Sequence, residues 1–374
     1  MGGGGARAAY QVGVLRALAR HRPDFGAGIL TGVSAGAINA VELAAHPGRC
    51  AEKVEALHGL WSGLHPGDVY RVGALSLFGN VLRTGLKLVS GGHLRTRRLY
   101  SLVDTAPLAG LLRRTLACPE GAIPGIEQNL AAGRLHAVAI TASSYTTGQS
   151  ITFVQGRDIR LWQRAHRRSV ACNLRVEHVL ASSALPMLFP AIEVDGQWFG
   201  DGGIRLTAPL SPAVHLGARR ILAISTRYAR SAAEADQPAT DGYPPLAQMA
   251  GVLFNAVFLD LFDADALTLE RMNRVVAELA PEKRAELAPI ELLLLRPSRD
   301  LGRLANEYEA ELPRSFRFLT RGLGTRETRS NDFLSLVMFQ PDYLARVIEL
   351  GERDTEARAA EIGRFLGAPA VQPA

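Results

Sequence analysis

The sequence predicts an α/β protein: a mostly parallel central sheet flanked by helices. Three observations carry this. Short apolar runs suited to buried strands alternate with segments of helical spacing. One of these runs, residues 28–31, opens straight into a glycine-bounded turn and then a further helix. The composition, 374 residues with 47% apolar and 21% charged, supports a sizeable core and is too apolar for disorder.

The elements follow in order. A Gly-rich opening leads into a helix on which Tyr10, Val14, Leu15 and Leu18 recur at helical spacing, ending near His21-Arg22-Pro23. Gly28-Ile29-Leu30-Thr31 reads as a buried strand and residues 37–45 as the helix after the turn. Residues 50–135 read as mainly helical and 136–142 as a second buried strand. Residues 150–155 and 157–162, on either side of Gly156, read as a hairpin, and 177–183 as a short helix. A second hairpin spans 192–199, where Asp195-Gly196 supplies the positive φ angles of a type I′ turn. Residues 221–225 and 290–295 are later strands. Between them lie a polar surface loop, about 231–245, and an apolar helical stripe of Leu253, Phe254, Val257, Phe258, Leu261 and Phe262, expected to pack as core. The expected organisation is an α/β unit over 1–299 and a helical C-terminal extension over 300–374 with a flexible tail.

Several function classes lose support. No run approaches the roughly 18 apolar residues of a membrane span, and Met1 with four glycines lacks the features of a signal peptide. A cytoplasmic protein is expected. Cys50, Cys118 and Cys172 share no short spacing, which argues against a disulfide scaffold or a metal knuckle. The formal charge is +6, and residues 69–103 alone hold six cations (Arg71, Arg83, Lys87, Arg95, Arg97, Arg98) and no acid. Those cations alternate with leucine, valine and phenylalanine, which suits peripheral contact with an anionic membrane; a solvated face over a core helix is the plainer alternative. Nucleic acid is not an expected partner, because no zinc-finger or RNP-like motif is present and aromatic content is 6%. Oligomeric state is left open.

The sharpest chemical signal is Gly32-Val33-Ser34-Ala35-Gly36, set between an apolar strand and a helix. A nucleophile elbow needs small residues on both sides of its serine, because a β-carbon at either glycine would clash in so tight a turn. The helix that follows aims its N-terminal N–H groups at negative charge forming near Ser34. A histidine base is poorly supported. In an α/β-hydrolase the histidine follows both serine and acid, yet none of the nine histidines lies beyond His215, itself on an apolar helical pattern. A carboxylate fits better. Asp201 opens Asp201-Gly202-Gly203 directly after the second hairpin; alone this motif is a turn. Burial would raise its pKa, and a hydrogen bond to Ser34 would let it take the serine proton.

The third element is Gly2-Gly3-Gly4-Gly5-Ala6-Arg7. A dinucleotide loop would need a strand before it and an acid after the second strand, and here the second strand ends in the serine turn. An oxyanion hole built from Gly3, Gly4 and Gly5 is the better reading, with free N–H groups on Gly4 and Gly5. Arg7 either holds the loop or meets a substrate phosphate.

Together these residues resemble the patatin-like phospholipase family. Its marks are a Gly-Gly-Gly-x-Arg/Lys loop, a Gly-x-Ser-x-Gly elbow and an Asp-Gly-Gly/Ala motif, in that order. Here they are Gly3-Gly4-Gly5-Ala6-Arg7, the elbow around Ser34, and Asp201-Gly202-Gly203. Ala181-Ser182-Ser183-Ala184-Leu185-Pro186, with Phe189-Pro190, also looks like the family's segment before the aspartate. The resemblance covers about residues 1 to 226, and 290–297 looks like a final strand of the same fold. It implies a lipid acyl hydrolase acting on acyl esters of phospholipids or lysophospholipids. By that implication Ser34 is the nucleophile, Asp201 the base and the glycine loop the oxyanion hole, with Gly32 and Gly36 shaping the elbow and no metal or other cofactor. Acyl transfer, hydrolysis of soluble esters, or a catalytically silent membrane-surface module are the alternatives. Two departures from the family pattern occur. Ala8 stands where the family has glycine, and Met1-Gly2 stands where it has an apolar strand, so an upstream strand is expected and the chain as written should be less stable and less active than a longer form.

Overall fold

In the computed structural model, which describes residues 1–71, 101, 103–280 and 289–367, the main sheet is organised around one strand, β2 (Ala137–Ser144). All eight of its residues are buried, as expected for a short apolar run with partners on both edges. One edge pairs antiparallel with β3 (Ser150–Gly156). The other edge is shared. Its first part takes β1 (Ile29–Val33) in parallel, from Ile29 opposite Ala137 to Val33 opposite Thr141. Its last part takes β7 (Gln197–Asp201) antiparallel, with Asp201 opposite Ala142. Strands β1 and β7 run in opposite directions along the same edge, so their C-terminal ends meet at adjacent residues of β2.

The remaining pairs are β4 (Gln163–Arg164) with β5 (Arg167–Ala171) antiparallel, β3 with β5 parallel, and β6 (Ile192–Val194) with β7 antiparallel. A second, two-stranded sheet joins β8 (Arg220–Ile224) and β9 (Glu291–Leu295) in parallel. The α/β class stands, but the sheet is mixed rather than mostly parallel. The cause is short connections, which can join only antiparallel strands. Residues 145–149 link β2 to β3, and Asp195-Gly196, at φ 49° and 76°, links β6 to β7. The hairpin expected around Gly156 does not form. Gly156 lies opposite Ala137, where a β-carbon would come within 2.7 Å of the alanine side chain, so it serves close strand packing rather than a turn.

Met1 and Gly2 lie between the two sheets and bond to both. The Met1 ammonium donates to the Thr31 carbonyl at 2.7 Å, the Val33 N–H donates to the Met1 carbonyl at 3.3 Å, and the Gly2 N–H donates to the Ile224 carbonyl at 3.1 Å.

The helices that matter for the site are α1 (Ala9–His21), α2 (Ala35–Ala45), α3 (Cys50–Ser62), α4 (Ala106–Thr115), α5 (Val176–Ser182), α6 (Leu246–Phe258), α7 (Leu261–Glu278), α8 (Arg314–Gly322), α9 (Asp332–Val337) and α10 (Pro341–Ala357). α1 and α10 touch backbone to backbone. A β-carbon on Gly13 would lie 1.9 Å from the Ile348 carbonyl oxygen, and one on Gly351 2.3 Å from that of Tyr10. Buried residues of α10, such as Tyr343, Leu344 and Val347, belong to the same hydrophobic cluster as Tyr10 and Trp61. The apolar stripe expected to pack as core is split between α6 and α7. Phe254, Phe258 and Phe262 are buried, whereas Leu253 is exposed.

Candidate active site

Ser34 sits between β1 and α2 at φ 56° and ψ −133°, a backbone conformation that non-glycine residues rarely adopt. The flanking glycines permit it. A β-carbon on Gly32 would lie 2.3 Å from the Gly36 carbonyl oxygen, and one on Gly36 2.3 Å from that of Gly2. The turn is anchored from behind: the Ser34 N–H donates to Ser182 Oγ at 3.1 Å, and the Ser182 hydroxyl donates to the Thr141 carbonyl at 2.6 Å.

Asp201 arrives at the same place from β7. Its N–H donates to the Ala184 carbonyl at 2.9 Å, and its Oδ1 accepts the Gly203 N–H at 2.9 Å. The side chain is fully buried, which pushes its pKa up to about 7. The Ser34 hydroxyl is near enough to offset part of that rise, with the Gly203 N–H adding to the effect. Even so, Asp201 Oδ2 has no partner of good hydrogen-bond geometry among the described residues. Gly202 and Gly203 are small for steric reasons: β-carbons there would meet the Thr141 carbonyl at 1.9 Å and the Phe258 ring at 2.2 Å.

The glycine loop wraps the other side of Ser34. Gly3 approaches so closely that its β-carbon would lie 3.0 Å from that of Ser34. Gly4 and Gly5 take φ 141° and 54°, conformations that favour glycine. The loop carbonyls are tied down: Thr226 Oγ1 donates to Gly3 at 2.6 Å and Gln11 Nε2 to Gly2 at 2.7 Å. By contrast, the N–H groups of Gly4 and Gly5 meet no acceptor among the described residues. Arg7 is buried. Its guanidinium donates to Ser335 Oγ (Nε, 2.6 Å) and to Asp332 Oδ1 (2.6 Å), binding the loop to α9.

Ser34, Gly4 and Gly5 line a cavity of about 770 Å³, part of it open to solvent. Apart from Ser34, Ser183 and backbone, its walls are apolar, with Leu60, Leu108, Leu112, Phe189, Phe258 and Phe339 prominent. No histidine among the described residues lines it. His215 instead stacks on Trp162, ring centroids 4.7 Å apart. Among the described residues no cluster of three or more His, Cys, Asp or Glu is arranged to hold a metal ion.

The structure therefore brings together Ser34, Asp201, Gly3, Gly4 and Gly5, with Gly32 and Gly36 shaping the turn and Arg7 behind the loop. Four contributing residues were not singled out by sequence reasoning. Ser182 was visible only as part of a motif. Thr226, on the loop after β8, carries no signature. Leu336 and Val337, from α9, line the cavity although they are remote in sequence. The acid-free run at 69–103 lies, for residues 72–100 and 102, outside the described residues.

An α/β sheet that ends in a strained serine turn beside a buried carboxylate and an apolar cavity defines a class of protein, the α/β hydrolytic folds with a nucleophile elbow. Residues 1–214 match the family model for patatin-like phospholipase, and the chain belongs to that family. Comparison with curated proteins gives no match. Among solved structures the chain is similar to VipD from Legionella pneumophila, at 14% identity and a TM-score of 0.38. That alignment covers 96% of this chain, which spans 66% of VipD's length.

Proposed function

We propose that this chain is a serine lipid acyl hydrolase, cleaving fatty-acyl esters of phospholipids or lysophospholipids. One observation carries the reading: an elbow serine at the wall of an apolar cavity stands beside the buried Asp201 carboxyl, because β1 and β7 end opposite adjacent residues of β2. Ser34 Oγ attacks the ester carbonyl while Asp201 takes its proton. A carboxyl poised near pH 7 is suited to that task. The oxyanion is held by the free N–H groups of Gly4 and Gly5; one such donor is worth about 2.7–4 kcal/mol. Collapse of the tetrahedral intermediate breaks the ester bond, and the alcohol leaves with the proton from Asp201. Water then attacks the acyl-enzyme, gives a proton to Asp201, and releases the fatty acid as Ser34 is reprotonated. The leucine and phenylalanine walls hold the acyl chain. Arg7, with its guanidinium taken up by Asp332 and Ser335, is a loop-holder rather than a phosphate ligand.

The test is fluorophosphonate labelling together with fatty-acid release from a panel of phospholipids, lysophospholipids and short soluble esters. Labelling and long-chain release, both lost in Ser34→Ala, are expected. A folded protein that resists labelling would leave the silent membrane-surface module, and turnover confined to short esters would make this a soluble-ester esterase.

A further inference from the structure

Helix α6 is apolar on both sides, with Ala247, Gly251, Phe254 and Phe258 on the buried one. An ordinary surface helix turns its apolar stripe to the core and its polar residues to water. Here both polar side chains point into the protein: Gln248 Oε1 accepts from Thr328 Oγ1 at 2.9 Å, and Asn255 Nδ2 donates to Asp332 Oδ2 at 2.6 Å. The outward side consists of Leu246, Met249, Val252, Leu253 and Ala256, all exposed, and spaced so that they share one face. Leu246, Val252 and Leu253 are each 58–60% exposed. The helix lies within residues 242–259, which contain no charged side chain at all.

The surroundings of this face indicate what covers it. Tyr243, just before the helix, is 87% exposed, and Phe318 on α8 is 80% exposed. The Ala247 N–H donates to the Leu323 carbonyl, so the segment after α8 runs beside the start of α6. Residues 312–329 carry five arginines (Arg314, Arg317, Arg321, Arg326, Arg329) against one acid, Glu327. Arg329 is paired with Asp241 and Arg321 with Glu309, whereas Arg314 and Arg326 are exposed and make no ion pair among the described residues. An exposed apolar helical face, with exposed aromatics and unpaired arginines in the neighbouring segment, matches the chemistry of an anionic bilayer surface, with acyl chains beneath and phosphates above. The opposite, buried side of the same helix reaches the site. Phe258 at the far end of α6 lines the Ser34 cavity, and Gly251 packs against Asp332 and Phe333 of α9, whose Leu336 and Val337 line it too.

We propose that α6 docks this protein on an anionic lipid surface, with Leu246, Met249, Val252 and Leu253 entering the acyl region and the unpaired Arg314 and Arg326 meeting the phosphates. This rests on the lipid-hydrolase reading for its purpose: a substrate insoluble in water is taken from an interface.

The experiment measures flotation with vesicles of phosphatidylcholine alone, or with about one-third phosphatidylglycerol, using the Ser34→Ala protein so that the lipid is not consumed. Binding should be stronger to the anionic vesicles and weaken at high salt. Adding Leu246→Glu and Leu253→Glu should weaken it by about tenfold or more. With Ser34 intact, the same two changes should leave hydrolysis of a short soluble ester unaltered, which reports folding and the site. Vesicle binding equal in the parent and the Glu variant, or absent in the parent, would overturn the proposal. So would a dimer in solution that the Glu variant converts to monomer, because the face would then belong to a second copy. Vesicle binding in the absence of any esterase activity would overturn only the hydrolase reading.

Discussion

Ser34 is fastened to Ser182: its backbone N–H donates to the Ser182 hydroxyl, which in turn donates to the Thr141 carbonyl of the central strand. Two residues further on, the Ala184 carbonyl accepts the Asp201 N–H. One short segment therefore sets the position of both Ser34 and Asp201. Ser182→Ala should leave a buried N–H and a buried carbonyl short of a partner, at a cost of about 1–3 kcal/mol. It should also lower kcat by about tenfold to a hundredfold with little change in KM, because the turn loses its anchor. Thermal unfolding and steady-state kinetics on one ester would check this; an unchanged kcat would remove Ser182 from the positioning of Ser34.

Asp201 gives opposite signs for stability and activity. Its folded pKa of about 7 lies above the ordinary carboxylate value of 3.8 because burial disfavours the charge. The neutral form therefore stabilises the fold in full below about pH 4, and this contribution is lost as pH rises through about 7. Wild-type kcat/KM should rise across that same interval as the carboxylate base forms. Asp201→Asn should abolish turnover yet be more stable than wild type at pH 8, by up to about 4 kcal/mol, and equal to it near pH 4. Melting temperatures of both proteins across this range are the measurement. A variant less stable than wild type at pH 8 would show that the buried charge is compensated.

The α1–α10 contact leaves no room for side chains. Gly13→Ala should cost about 3 kcal/mol or more, since its β-carbon would meet the Ile348 carbonyl and only a shift of one helix relieves the overlap. Gly59→Ala, where nothing lies within 4 Å of the new carbon, should be neutral or slightly stabilising. Urea unfolding of the two variants compares them directly.

Arg7 and Asp332 form a buried ion pair across the chain, at 2.6 Å. Asp332→Ala leaves the guanidinium buried with only part of its bonding and should cost about 3–5 kcal/mol. It also frees the loop that holds Gly4 and Gly5, so kcat should fall in the variant even at temperatures where it remains folded. Activity equal to wild type in a folded Asp332→Ala sample would show that the loop keeps its shape without this tie.

The motifs were legible because each is a local steric or conformational demand. A Gly-x-Ser-x-Gly turn, an Asp-Gly hairpin and a run of glycines declare their backbone angles in the residues themselves, and the structure places all three as turns. Apolar runs likewise marked β1, β2, β8 and β9. Strand direction was not legible, since a buried strand has the same composition whether its neighbour is parallel or antiparallel. Nor was the orientation of α6: helical spacing identifies a face but not which side of it meets the core.

The sequence by itself determined the local chemistry: a strained serine turn, a glycine loop with free N–H groups, and an aspartate opening a glycine turn. Only the tertiary structure decided that they form one site. β1 and β7 approach from opposite directions along one edge of β2, so Val33 and Asp201 end opposite the adjacent residues Thr141 and Ala142. That meeting depends on long-range strand pairing. The raised pKa of Asp201 depends on burial beneath elements distant in sequence, a property no short motif can carry.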